Sequence, residues 1–255
     1  MNEKEVKTPE ELLTEWSKVD VVAMKQLLKA QRTTLTNGFR FKLPLLWQQA
    51  YTMLFAAYEA EVEARGRKEI RDPKVVADNL KPIAWELAKA EYSMILIGGM
   101  YGNGKTTTLR AIQSLINYGF KNGFKQYQSD EIVMIDFKNL LHIELAIDIA
   151  TYATNTEDGK YDALVKCNCL GIDDMGREPQ EVLHYGNKFY PIADLLERRY
   201  ASQKLTIITT NLTIIEIRER YGERVYDRMR EMCKIVNYRN SSFRGEPSQK
   251  QTNQN

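Results

Sequence analysis

Cysteine, histidine and long apolar runs are all scarce in this chain, and each scarcity excludes something. Three cysteines among 255 residues, Cys167, Cys169 and Cys233, are too few and too unevenly spaced for a disulfide framework. Cys167 and Cys169 lack the spacing of a zinc knuckle, and two histidines offer little help, which speaks against a structural metal. No apolar run approaches the roughly 18 residues that a membrane-spanning helix needs. The first residues, MNEKEVKTPEELL, are polar and acidic with no apolar signal core, so the expectation is a protein that is not exported and works in the reducing cytoplasm. Charge of one sign is also lacking. With 36 basic and 34 acidic residues the net charge is +2, too balanced for a protein that lives by bulk attraction to nucleic acid. The one local imbalance is residues 21–58, which contain no Asp or Glu but carry Lys25, Lys29, Arg32, Arg40 and Lys42 beside Phe39, Phe41 and Trp47.

What the chain does have is two kinds of pattern. Up to about residue 72 it reads as helical. Thr8-Pro9-Glu10-Glu11 is a capped helix start followed by Leu12, Leu13 and Trp16 on one face. A second helix is expected from about Pro44 to Ala64, ending in the charged run EARGRKEIRDP, where Gly66 and Asp72-Pro73 mark a joint. The apolar residues Leu27, Leu28, Phe39, Leu45, Leu46 and Trp47 suit either a partner-binding surface or the core of a small domain, with the core preferred. Phe39, Phe41 and the nearby cations also suit stacking on single-stranded nucleic acid. Residues 246–255 hold nothing apolar and read as a disordered tail.

From residue 73 strands and helices alternate. SMILIGG (93–99), EIVMIDF (131–137), CLGIDD (169–174), KLTIITT (204–210) and KIVNY (234–238) are the expected strands. Repeated strand-helix-strand means an α/β fold, a parallel sheet with helices on both faces, whose ligands bind at the carboxyl ends of the strands.

Chemistry-bearing residues fall at those ends. Gly99-Met100-Tyr101-Gly102-Asn103-Gly104-Lys105-Thr106 fits G-x-x-x-x-G-K-[ST], between an apolar strand and the amphipathic stretch 105–120. The glycines let the backbone wrap a phosphate, and the helix start presents free N–H groups to the same anion. Lys105 adds a charge for the outer phosphates, and the Thr106 hydroxyl suits magnesium. The pattern implies a bound nucleotide such as ATP with Mg2+. Asp173 and Asp174 end another strand. Asp173 is assigned to the metal and Asp174 to the attacking water. Asn211 follows a third strand, where it either positions water or serves as a plain turn residue or helix cap. Residues 216–234 carry Arg218, Arg220, Arg224, Arg228 and Arg230 among acids. These read as a solvated, ion-paired face or as the source of one arginine reaching a neighbouring subunit's phosphate.

GGMYGNGKTT, CLGIDDMG, TIITTN, RYGERVYDRM and the arginine in NSSFR, in this order, resemble the AAA+ ATPases of the DnaC-type helicase loader family and the related IstB transposition helpers. The resemblance covers about residues 80–245. It implies a five-stranded parallel sheet in the order 5-1-4-3-2, a helical N-terminal domain (1–72) that grips the replicative helicase, an ATPase domain (73–245) and the tail (246–255). Gly99 to Thr106, together with Thr107, would be the Walker A loop. Asp173 and Asp174 would be Walker B, and Asn211 sensor 1. Arg228 would be the arginine finger, with Arg224 the fallback, and Arg244 the sensor 2 arginine. The function implied is Mg-dependent ATP hydrolysis by an oligomer that loads the replicative helicase on single-stranded DNA. The alternative is an IstB-like ATPase that binds DNA and activates a transposase. Arg198-Arg199 is read as a subunit or DNA contact. A small-molecule kinase fits less well, because the aspartates and Asn211 look arranged for water rather than an acceptor alcohol. With Lys105, Thr106, both aspartates and Asn211 all present, nothing in the sequence supports a nucleotide-dependent adaptor that does not hydrolyse.

Overall fold

The computed structural model describes residues 22–27, 40–127, 129–155, 158–184 and 186–243. The chain divides into two compact units, Met1–Gly38 and Phe39–Asn255. In the first, residues 22–27 are helical and Leu27 is exposed. The helix start at Thr8, the residues Leu28 and Phe39, and the tail expected over 246–255 lie outside the described residues.

The second unit holds everything else. Helix α1 (Trp47–Ala64) is followed by α2 (Pro73–Lys89), where Asp72 caps the start by accepting the Val75 N–H at 3.1 Å and Pro73 takes the first helical position. The strands of the main sheet are β1 (Met94–Gly99), β4 (Leu141–Leu145), β5 (Cys169–Met175), β8 (Leu205–Thr210) and β9 (Cys233–Tyr238). They are parallel and lie side by side as β4-β5-β8-β1-β9, while β6 (Val182–His184) and β7 (Asn187–Phe189) form an antiparallel ribbon of their own. Numbered along the chain this is 5-1-4-3-2, the order expected. The connecting helices are α3 (Lys105–Asn122), α4 (Ala146–Thr154), α5 (Lys160–Lys166), α6 (Pro191–Ser202), α7 (Ile214–Tyr221) and α8 (Glu223–Met232).

Alternation along β1 divides the core. Ile95 and Ile97 join the cluster under α1, α2 and α3, while Met94 and Leu96 join the cluster under α4, α5, α6, α7 and α8. Helices therefore cover both faces, as a parallel sheet requires. Among the described residues no helix is long and apolar enough to cross a membrane.

Two expectations are corrected. EIVMIDF does not enter the main sheet. Its second and third residues form β3 (Ile132–Val133), which pairs antiparallel with β2 (Phe124–Lys125) in a separate ribbon, leaving Ile132 and Met134 exposed. The sheet strand is instead LHIEL. It lies at the sheet edge beside β5, where only one neighbour pairs and one face is half wet, so it lacks the continuous apolar run of a central strand. The boundary set at 72 also moves. Phe41, Leu43, Ala50, Leu54 and Tyr58 are buried in the same cluster as Leu109 and Ile112 of α3, so α1 belongs to the sheet-bearing unit and the chain divides near residue 38. The reason is that α3 needs its outer face covered, and α1 brings the apolar stripe that covers it. Phe41 is thereby removed from any stacking surface, while Leu46 stays exposed and Trp47 is half-buried against the core.

Candidate active site

The loop Gly99–Gly104 turns between β1 and α3 through left-handed backbone. Gly99 has φ +141° and Gly104 φ +99°. A Cβ on Gly99 would lie 2.6 Å from the Tyr238 carbonyl oxygen, and one on Gly104 would lie 2.6 Å from the Tyr58 hydroxyl. Neither the dihedral nor the space admits another residue without a shift. The loop is strapped from behind. The fully buried Asn103 donates through Nδ2 to the Tyr238 carbonyl at 3.3 Å, and the Phe243 N–H donates to the Gly102 carbonyl at 2.8 Å.

The first backbone bond at this end of α3 runs from Thr108 N to Gly104 O, so the N–H groups of Lys105, Thr106 and Thr107 have no intrahelical acceptor. Lys105 is 5% exposed. Its Nζ donates to the carbonyls of Gly99 and Met100, each at 2.8 Å, to Asn103 Oδ1 at 3.1 Å and to Asn211 Oδ1 at 2.8 Å. Asn211 follows β8, which pairs directly with β1. That adjacency brings Asn211 and the loop together across 106 residues of chain.

On the other side of β8, strand β5 carries the two aspartates. Its register with β8 shifts between Ile172 and Met175, and Asp174 has φ +57°. Regular alternation would send successive side chains to opposite faces. The irregularity re-aims them, so Asp173 and Asp174 line the same cleft. The buried Asp173 accepts from Thr106 Oγ1 at 3.0 Å and from Thr209 Oγ1 at 2.5 Å. Thr209 Oγ1 also accepts the Asp174 N–H at 2.9 Å. The Asp174 carboxylate pairs with Arg177 at 3.0 Å. The turn beyond it is pinned by buried Glu178, which accepts the Gly176 N–H at 2.8 Å and the Tyr221 hydroxyl and pairs with Arg220 at 3.5 Å. Burial, with the Glu178 charge added, pushes the Tyr221 phenol up and keeps it a donor.

These residues line a cleft of about 530 Å3. Of the residues expected from sequence, Tyr101, Gly102, Asn103, Gly104, Lys105, Thr106, Thr107, Asp173, Asp174 and Asn211 are brought together there. Gly99 and Met100 contribute their carbonyls to Lys105 instead. Arg228 and Arg224 are elsewhere. Both pair with Glu197 on α6, at 3.0 and 3.2 Å, and the Arg228 guanidinium sits 4.9 Å from the Tyr200 ring. Arg244 lies outside the described residues. The reading of Arg198-Arg199 as a contact pair is corrected for Arg199, which is fully buried and donates to four backbone carbonyls and to Thr206 Oγ1. It ties the end of α5 to the start of β8. Arg198 pairs with Asp162 and Asp194.

Sequence reasoning missed the cleft's other wall: Tyr58, Val62, Arg65, Arg67, Arg177 and Phe243. The available signal was Arg-Gly-Arg at a helix end. Burial pushes the Tyr58 phenol up, opposed by the nearby charges of Arg65 and Arg67. Four cations, Arg65, Arg67, Lys105 and Arg177, against two carboxylates leave the cleft with surplus positive charge, suited to a polyanion. Among the described residues no three metal-ligating side chains gather. Thr106 Oγ1 and Asp173 Oδ1 do supply adjoining oxygens. Such a pair fits a hard cation held jointly with phosphate and water.

No protein-family model and no curated protein matches this chain. Among solved structures the chain is similar to DnaI, at 16% identity and a TM-score of 0.45, over 68% of this chain and 86% of that one. It is similar to the DnaC helicase loader at 17% identity and a TM-score of 0.46, over 66% and 91%. It is similar to AMPPCP-bound DnaA from Aquifex aeolicus at 17% identity and a TM-score of 0.42, over 66% and 47%.

Proposed function

We propose that this chain binds ATP with Mg2+ in the cleft, hydrolyses it, and uses the cycle to load the replicative DNA helicase on single-stranded DNA. The observation that supports this most is the meeting of two contacts at adjoining strand ends: Thr106 on Asp173 and Lys105 on Asn211. A hydroxyl beside a carboxylate and an ammonium beside an amide, all at the open start of one helix, suit phosphoryl transfer to water.

Each residue has a part in this reading. The N–H groups at the start of α3 and the Lys105 ammonium hold the phosphates. Magnesium, when bound, offsets the charge on the outer phosphates, with Thr106 and Asp173 as its protein oxygens. Asp174 takes the proton of the attacking water, and Asn211 orients that water. Arg228 acts on the cleft of a neighbouring copy, since in its own chain it pairs with Glu197 away from the phosphates. Asp174→Asn is expected to keep nucleotide affinity and to lose turnover by roughly a hundred- to ten-thousandfold. Turnover that survives in this variant would remove Asp174 from the chemistry. The client is tested by recovering the full chain with its partners from its own cells. The reading expects a hexameric replicative helicase. A transposase in its place would favour the transposition-helper alternative.

A further inference from the structure

Arg65 and Arg67 stand on the wall of the cleft that faces away from the strand ends. Their position is set by α1. The N–H groups of Arg65 and Arg67 both bond the Val62 carbonyl, at 3.2 and 3.3 Å, and Gly66 between them takes φ +75° and bonds Glu63 O at 2.8 Å. This is a closed helix end, so the two side chains are projected from an anchored turn. The Arg65 guanidinium donates to the Thr107 hydroxyl, and that of Arg67 donates to the Phe243 carbonyl at 3.2 Å.

Seven other arginines, Arg177 in the same cleft and Arg198, Arg218, Arg220, Arg224, Arg228 and Arg230 outside it, each pair with a carboxylate. Among the described residues Arg65 and Arg67 make no such pair, and neither do Arg40, Arg71, Arg110, Arg199 and Arg239; of these, Arg65 and Arg67 are the two that line the cleft. A helix C-terminus favours a cation nearby, but it does not aim one at the first turn of another helix. Thr107 is the third residue of α3, and its N–H is the last of the three without an intrahelical acceptor. Lys105 meets Asn211 at the first residue of α3, and Arg65 meets Thr107 at the third.

We propose that Arg65, supported by Arg67, is a nucleotide-binding residue supplied by the helix before the sheet in the same chain. It takes the phosphate nearest the sugar, leaving the terminal phosphate to Lys105 and Asn211. The proposal rests on the nucleotide reading above. It has a consequence that a contact to the terminal phosphate would not have. The inner phosphate is present in ATP and ADP alike, so Arg65 stabilises both bound forms and the transition state equally. Its loss raises KM and leaves kcat unchanged.

The test is calorimetric titration of the full chain with Mg-ATP and with Mg-ADP, with steady-state hydrolysis alongside. It uses Arg65→Ala, Arg65→Lys, Lys105→Ala and, as a control at an exposed arginine outside the cleft, Arg71→Ala. Arg65→Ala is expected to weaken ATP and ADP by the same factor, about tenfold or more for a lost charge-assisted contact. Its kcat should stay within about twofold. Arg65→Lys should recover part of the affinity, and Arg71→Ala should change nothing. Unchanged affinities in Arg65→Ala, with binding abolished in Lys105→Ala, would overturn the role of Arg65 and leave the nucleotide reading standing. Loss of kcat alone, or loss of ATP affinity without ADP affinity, would overturn it too. Full binding in Lys105→Ala would instead overturn the nucleotide reading itself.

Discussion

Arg199→Leu is expected to destabilise the sheet-bearing unit without altering its affinity for nucleotide. The guanidinium is fully buried. It donates to Leu205 O at 2.6 Å, Cys167 O and Thr206 Oγ1 at 2.8 Å each, and Leu164 O at 2.9 Å, with a longer bond to Val165 O at 3.3 Å. No carboxylate takes part in these bonds, and burial pulls the guanidinium's pKa down from its ordinary value. Its charge is tolerated because the carbonyl dipoles at the end of α5 and the start of β8 converge on it. Leucine fills part of the volume and leaves these acceptors without the guanidinium N–H groups. At about 1 kcal/mol for each of the four shorter bonds, the loss comes to about 4 kcal/mol. For a unit of this size each kcal/mol is worth about 2–4 °C, so the unfolding midpoint should fall by about 8–16 °C. Thermal unfolding followed by circular dichroism reads the shift. Arg199→Lys, with three donors instead of five, should fall between the two. A midpoint within about 2 °C of the parent would refute the reasoning. So would a variant that folds normally but fails to assemble or to bind DNA, because it would return Arg199 to the contact role.

Glu86 is buried, with Oε1 accepting the Tyr92 N–H at 2.6 Å and Oε2 without a hydrogen-bond partner. Burial pushes its carboxyl pKa up, so the folded state binds the proton more tightly than the unfolded chain. Stability from this group should fall as pH rises from the ordinary carboxylate value through the raised one. Glu86→Gln should flatten that slope in a pH series of denaturant titrations, and an unchanged slope would contradict it. For the arginine acting between copies, mixing Arg228→Ala chains with Lys105→Ala chains should restore part of the hydrolysis that each lacks. A mixture no more active than its components would contradict action in trans.

Legibility in the sequence followed the range of the interactions. Lys105 and Thr106 could be placed because loop and helix start are local, and because the glycine positions announce backbone that only glycine adopts at low cost. Asp173 and Asn211 followed because each ends an apolar strand, and parallel sheets gather such ends. That both aspartates share one cleft was not visible, since it depends on an irregularity in the pairing of β5 with β8. In the sequence Arg65 and Arg67 are only part of a charged run that ends a helix. Their place in the cleft is set by how α1 packs on α3, which sequence spacing does not encode. EIVMIDF carries more apolar residues than LHIEL, and apolar content alone points to it as the sheet strand. An edge strand needs less of it, and a surface ribbon can carry more. Arg199 reads as a contact residue because a buried arginine satisfied by carbonyls leaves no partner residue type to look for.

The account rests on a magnesium-bound triphosphate lying along the start of α3, and a crystal structure of the full chain with a non-hydrolysable ATP analogue and Mg2+ tests that most directly. The terminal phosphate should lie beside Lys105 Nζ and Asn211, with Thr106 and Asp173 as the protein oxygens that hold the metal. An analogue bound away from the loop, or a cleft that takes up no analogue at saturation, would contradict it.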